Sequence, residues 1–170
     1  MMRPEYLLLP ANRAFIAFSL ILAFLLNLLP WARVSIAPDF VALVLVFWNV
    51  HQPRKVGMGL AFLFGLLMDV HDASLFGEHA LSYTLLSFGA ISLHRRILWF
   101  KSIGQMLHIF PLFLIALLAT LVIRLFIGGA VPGWFYFAPA LTQAMLWPVV
   151  SFLLLAPQRR VVEIDETRPI

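Results

Sequence analysis

The sequence predicts an all-α membrane protein, built as a single bundle of six transmembrane helices. Three observations support this prediction. Of the 170 residues, 62% are hydrophobic and only 12% are charged, and the mean hydropathy is +0.96, unlike a water-soluble domain. Long apolar runs follow one another along the chain. The basic residues cluster at the ends of these runs, where they set the orientation of membrane helices.

Each apolar run is a candidate transmembrane helix. The runs cover residues 14–29, 36–50, 56–70, 80–93, 103–128 and 134–156. The first four are short, because about 15 helical residues extend only about 22 Å into a hydrocarbon core of about 30 Å. Flanking residues or local thinning of the bilayer would make up the difference. A re-entrant hairpin for one short pair is the alternative.

The charge distribution predicts the orientation of the bundle. With six crossings and a cytoplasmic amino terminus, only Arg33 and Arg124 of the 12 basic residues fall on the outer side. The other basic residues would lie on the cytoplasmic side, and an excess of Lys and Arg is typical of cytoplasmic loops. We therefore expect one transmembrane domain over residues 1–156 and a short cytoplasmic tail over residues 157–170.

Two aspartates interrupt the apolar pattern, and both are candidate site residues. A carboxylate within a membrane span is costly, so it usually faces a partner group or a wet cavity. Asp39 precedes Pro53 by 14 residues and Asp69 follows it by 16. In two antiparallel helices that turn at Pro53, their depths differ by only about 3 Å. The sequence therefore predicts one acidic layer near the outer end of the second and third helices.

The two aspartates differ in what their positions explain. Asp39 follows Pro38, and a proline with an acid beside it is typical of a helix start, so capping alone is an alternative to a functional role. Asp69 lies near the carboxyl end of the third helix, where the helix dipole disfavours a negative charge. Asp69 therefore needs another stabilising partner.

Arg124, near the outer end of the fifth helix, is the candidate counter-ion. It would complete an intramembrane charge cluster with Asp39 and Asp69, with Asn27 as a possible hydrogen-bond partner. The alternative is that Arg124 extends to the lipid headgroups. Gln143 lies near mid-membrane in the sixth helix, where it would bond across helices or serve packing alone.

Small residues form a stripe on the third helix. Gly57, Ala61 and Gly65 recur every fourth position, and Asp69 is the next in the series. Such a stripe lets another helix approach closely, although chance in a Gly/Ala-rich chain is the alternative. Gly77 would allow a turn in the outer loop that follows.

Enzyme chemistry finds no support in the sequence. There are no cysteines, and no Walker loop, nucleophile elbow, zinc-binding His-Glu-x-x-His or dinucleotide-binding glycine motif occurs. The histidines and carboxylates of residues 69–79 have no established metal-ligand spacing. We therefore expect no enzymatic activity, no metal and no cofactor. The pI near 10.1 reflects topology rather than affinity for nucleic acid.

The same residues resemble the MreD family of bacterial rod shape-determining membrane proteins. The resemblance rests on the Pro-Asp pair at the second helix, the Gly-Leu-Leu-Met-Asp run of residues 65–69, and the run of residues 74–83. It falls on Pro38, Asp39, Gly65, Asp69 and Gly77. The family is also considered similar in fold to substrate-binding components of energy-coupling-factor transporters.

The resemblance implies a function and a set of partners. It implies an assembly subunit of the machinery that synthesises lateral-wall peptidoglycan, located in the bacterial inner membrane. MreC would be the most direct partner, within a complex that also holds MreB, RodZ, RodA and its transpeptidase, surrounded by membrane lipid. The alternative is a solute- or lipid-binding transport subunit whose outward cavity is lined by Asp39, Asp69 and Arg124.

Overall fold

The computed structural model describes residues 6–8, 11–29, 37–72 and 75–161 of the chain. Arg3, Arg33 and Arg168, which contribute to the predicted charge asymmetry, lie outside these residues. So does Ser74, the first residue of one run that carries the family resemblance. For residues 6–8 and 159–161, only the backbone is considered below.

Six α-helices make up most of this part of the chain, as the sequence predicts. They are α1 (Arg13–Asn27), α2 (Phe40–His51), α3 (Met58–His71), α4 (Glu78–Leu98), α5 (Ser102–Phe126) and α6 (Ala138–Leu155). Short 3-10 turns, Trp134–Phe137 and Ala156–Gln158, flank α6. Two stretches, α5 and Trp134–Gln158, are long and apolar enough to cross a membrane, whereas α1, α2 and α3 are apolar but shorter.

Helix α4 is longer than its apolar run. The run covers residues 80–93, whereas the helix begins at Glu78 and ends at Leu98. Glu78 occupies the first turn and Arg95 and Arg96 the last, so the helix dipole favours both charges. An apolar run therefore underestimates a helix whose ends carry charges of the favourable sign.

The two ends of the described chain form a short β-ribbon. Strand β1 (Tyr6–Leu8) pairs antiparallel with β2 (Arg159–Val161), with Leu7 opposite Arg160. The sequence predicts no strands, and residues 159–161 belong to the predicted tail. Three-residue strands are too short to show an alternating pattern, and this pairing joins opposite ends of the chain. The ribbon places the segment before α1 beside the segment after α6.

Helix α2 is the centre of the bundle. Every residue from Val41 to Val50 is buried, as expected for a helix that is apolar on all sides. It packs against α1, α4 and α6, while α3 packs along α4, and α5 joins α4 to α6. Asp39, which directly precedes α2, therefore lies where several helices meet.

Candidate functional site

Asp39 caps the amino terminus of α2. Its Oδ1 accepts a hydrogen bond from the backbone N–H of Ala42 at 3.0 Å, and Asp39 itself has an extended backbone, as an N-cap residue does. Pro38 therefore lies just before the cap rather than in the first turn. The capping role predicted for Asp39 is confirmed, but capping occupies only part of its carboxylate.

Two other helices also bind the Asp39 carboxylate. Asn27 Nδ2, at the end of α1, donates to Asp39 Oδ1 at 2.7 Å, and Asn27 Oδ1 accepts from the N–H of Phe40 at 2.9 Å. The buried Tyr83 hydroxyl of α4 donates to Asp39 Oδ2 at 2.6 Å. The predicted partnership with Asn27 is confirmed. Asp39 thus joins α1, α2 and α4 at one end of the bundle.

Asp69 is stabilised by the amino terminus of another helix. Its side chain is fully buried, and its two oxygens accept from the backbone N–H groups of Gly77 at 2.8 Å, His79 at 2.7 Å and Ala80 at 3.4 Å. His79 Nδ1 also lies 3.0 Å from Asp69 Oδ1. The first N–H groups of a helix have no partner within that helix, and the helix dipole attracts a negative charge there. Asp69 lies near the end of α3 but caps the start of α4.

Gly77 makes this cap possible. Its φ is +100°, in the left-handed region that glycine adopts without steric cost, and it directly precedes α4. This backbone turn presents the N–H of Gly77 to Asp69 together with those of the first turn of α4. The expected turn at Gly77 is therefore present, and it also supplies a donor.

Residues one helical turn apart on α4 connect the two aspartates. His79 contacts Asp69, Tyr83 contacts Asp39, and the His79 and Tyr83 rings meet edge to face at 5.9 Å between centroids. The two carboxylates therefore belong to one layer of polar side chains around the start of α4. Asp39 contacts the start of α2, and Asp69 contacts the start of α4.

Arg124 pairs with Glu78 rather than with Asp69. Arg124 Nε donates to Glu78 Oε1 at 2.6 Å, and the guanidinium also lies 5.9 Å from the centre of the Tyr136 ring. The predicted Asp69–Arg124 pairing is therefore wrong. Backbone N–H groups stabilise Asp69 instead, and Arg124 pairs with Glu78, one of the carboxylates of residues 69–79.

The predicted small-residue stripe is an internal contact at its far end. A Cβ added at Gly65 would overlap backbone atoms of His79 and Ala80, so α3 and α4 touch there through their backbones. Ala61 is fully buried, whereas an added Cβ at Gly57 would meet nothing within 4 Å. Gly57 lies at the N-cap of α3 and takes no part in the close approach.

A cavity of about 220 Å³ lies next to this layer, between α2, α4, α5 and α6. Its lining includes Asp39 and Arg124, together with His79 and Gln143, but not Asp69. The structure therefore brings two of the three predicted cluster residues to one cavity, while Asp69 lies under the start of α4. Within the described part of the chain, no group of three or more His, Asp or Glu residues is arranged to hold a metal ion.

The side chains of α4 that organise the layer are not among the predicted site residues. His79, Tyr83 and Ser87 recur every fourth residue and fall on one helix face, and Ser87 accepts a hydrogen bond from the buried Asn49 of α2 at 2.7 Å. Glu78 and Ser82 have the same spacing and line the cavity. Polar residues at helical spacing within an apolar run were the available indication.

Asp39 offers a direct test of the layer. Asp39→Ala is expected to destabilise the bundle by about 2–3 kcal/mol, because it removes an N-cap and leaves the Tyr83 hydroxyl and Asn27 amide without their acceptor. Asp39→Asn keeps a capping oxygen and should cost less than half as much. The stability of both variants is measured by unfolding in mixed micelles that contain a rising fraction of denaturing detergent, followed by tryptophan fluorescence. Equal losses in the two variants would contradict the capping role.

Comparison with known proteins identifies the family. A family model described as "rod shape-determining protein MreD" matches residues 11–156, which include all six helices. The chain belongs to the MreD family. A curated MreD, the rod shape-determining protein of Haemophilus influenzae, is 34% identical over 150 residues, covering 85% of this chain and 90% of the relative. No solved structure matches the chain.

Membership of the MreD family gives the chain a role in cell shape. The family model and the relative share the description of a rod shape-determining protein, which is not the description of an enzyme. The apolar helices agree with the membrane character of MreD proteins. The resemblance to the MreD family is therefore confirmed.

Proposed function

We propose that this MreD protein is a non-enzymatic assembly subunit of the cell-elongation machinery in the bacterial inner membrane. The observation that carries the proposal is the use of its two intramembrane carboxylates. Both bind helix starts: Asp39 receives three donors, and Asp69 receives backbone N–H groups of α4. Groups that are engaged in this way fix the shape of a bundle, and a fixed shape is what a docking subunit needs.

The proposed topology has six crossings with both termini in the cytoplasm. Pairing of β1 with β2 supports it, since an even number of crossings returns the chain to the side on which it began. The charged ends of α4 also agree with a full crossing, with Glu78 outside and Arg95 and Arg96 inside.

The proposed partner surface is the apolar groove between α1 and α3. This groove is lined by Ile16, Leu20 and Ile21 of α1 and by Leu60 and Phe64 of α3, with Arg13 and Lys55 also in its lining. We propose that the single membrane helix of MreC lies there, within a complex that includes MreB, RodZ, RodA and its transpeptidase. A helix of small apolar residues fits such a groove by van der Waals packing.

Site-specific crosslinking tests this surface. A photoreactive residue at Ile21 or Leu60, both exposed, should capture MreC in living cells. The matched control is the same residue at Val122 of α5, which is equally exposed but lies outside the groove. Capture of MreC from Val122 and not from the groove would assign the partner to another face.

Depletion with microscopy tests the function itself. Rods that lose the chain should become spheres, and the wild-type chain should restore them. Depleted cells that remain rods would contradict the proposal. A variant with Ile21 and Leu60 changed to Trp should be inserted at wild-type levels yet fail to restore rods, because bulk in the groove excludes the partner.

The second candidate function is a solute- or lipid-binding transport subunit. The cavity of about 220 Å³ beside Asp39 favours it, because a subunit with only a docking role has no need of a cavity with charged residues in its lining. If the purified protein binds no small molecule and MreC is captured at the groove, only the assembly role remains.

A further inference from the structure

The cavity beside Asp39 contains polar groups that the helix-capping layer does not use. Gln143 of α6 is only 5% exposed, and its side chain lines the cavity. Among the described residues it has no hydrogen-bond partner, although an amide offers two N–H donors and an accepting oxygen. A buried amide without a partner is energetically unfavourable, so such a group normally faces a bound molecule or water.

The charges of the cavity determine which molecule would fit. Asp39 and Glu78 contribute two carboxylates, and Arg124 contributes one guanidinium, so the lining carries an excess of one negative charge. Arg124 and Glu78 neutralise each other through their ion pair. The Asp39 carboxylate has three donors, whereas a carboxylate has about four acceptor positions. The unmatched charge is therefore that of Asp39.

We propose that this cavity binds a primary ammonium group. An ammonium has three N–H donors, and the lining offers acceptors in the Asp39 carboxylate, the Gln143 carbonyl and the Ser82 hydroxyl. Within a membrane, an ionised carboxylate usually faces a partner group, and a cation is the partner that also neutralises its charge. The part of the ligand inside the cavity is small, because a cavity of about 150 Å³ holds benzene and this one, of about 220 Å³, is only moderately larger.

Such an ammonium group has two sources, a free small amine and the headgroup of phosphatidylethanolamine. Ethanolamine is the probe for the first, with ethylene glycol as its neutral counterpart of equal size. Phosphatidylethanolamine vesicles are the probe for the second, with phosphatidylcholine as a control, because its quaternary ammonium has no N–H donor.

Calorimetry on the purified full-length chain in phosphatidylcholine nanodiscs tests the proposal. Ethanolamine should bind saturably and ethylene glycol should not. Asp39→Asn, which preserves the cap, and Gln143→Leu should each weaken binding about tenfold or more, as expected for loss of a charge-assisted or buried hydrogen bond. Asp72→Asn, which removes an exposed carboxylate outside the cavity, should leave binding unchanged.

The lipid arm distinguishes the two sources. If the headgroup is the ligand, phosphatidylethanolamine should raise the unfolding temperature of the wild type more than that of Asp39→Asn, and should displace ethanolamine. If a free amine is the ligand, ethanolamine should bind and the two lipids should act alike. Absence of binding by both probes would overturn the proposal. Equal affinity of ethylene glycol, or undiminished binding by the Asp39→Asn and Gln143→Leu variants, would also overturn it.

Discussion

Asp69→Ala is expected to destabilise the bundle by about 3–5 kcal/mol, the largest loss from any single side-chain truncation in the described layer. The variant removes the acceptor of three backbone N–H groups, those of Gly77, His79 and Ala80, in a fully buried position. The first turn of α4 cannot recover these bonds from solvent. Detergent-induced unfolding of the purified protein, followed by tryptophan fluorescence and circular dichroism, measures the loss.

Two variants make this result specific. Asp69→Asn keeps one accepting oxygen but turns an N–H₂ group toward backbone donors, so it should lose an intermediate amount. Asp72→Ala removes the neighbouring aspartate, whose side chain is exposed, and should change the stability little. A loss for Asp72→Ala as large as that for Asp69→Ala would show that general charge, and not the cap, stabilises this end of the bundle.

The sequence could predict the helices and the role of Asp39 because both depend on local information. Apolar runs separated by basic clusters give the six helices, with errors where a favourable charge lies inside a helix end, as at Arg95 and Arg96. The Pro38-Asp39 pair indicates a helix start by itself, since an N-cap binds N–H groups only two or three residues away. Asn27 could be added because it ends the preceding helix.

The partner of Asp69 could not be predicted in the same way. Its donors are mostly backbone N–H groups, which every residue except proline has, so no residue type marks them. Arg124 is the basic side chain that the sequence places at a similar depth, so it becomes the predicted counter-ion. That cation lies 46 residues beyond its true partner, Glu78, and only the packing of α5 against α4 brings them together.

The second large effect is expected at Gly65, where α3 and α4 touch through their backbones. A Cβ there would overlap backbone atoms of His79 and Ala80, which cannot rotate away as a flexible side chain can. Gly65→Ala should cost about 2–3 kcal/mol, and Gly65→Leu should separate the two helices. The backbone donors of Gly77, His79 and Ala80 would then move away from Asp69. Unfolding in mixed micelles should therefore show the loss of the helix contact together with the loss of the Asp69 hydrogen bonds.

Gly59 provides the matched control because it lies on the same helix, is exposed, and would place a Cβ more than 4 Å from any group outside the adjoining backbone of that helix. Gly59→Ala should leave stability unchanged or raise it by about 0.5–1 kcal/mol, since alanine favours the helix. If Gly65→Ala lowers the stability of the protein while Gly59→Ala does not, the backbone contact between α3 and α4 is the cause of the loss.

Non-additive losses for Gly65→Ala and Asp69→Ala would further show that both residues stabilise the same contact between α3 and α4. Additive losses would mean instead that α4 can stay capped while its distance from α3 changes.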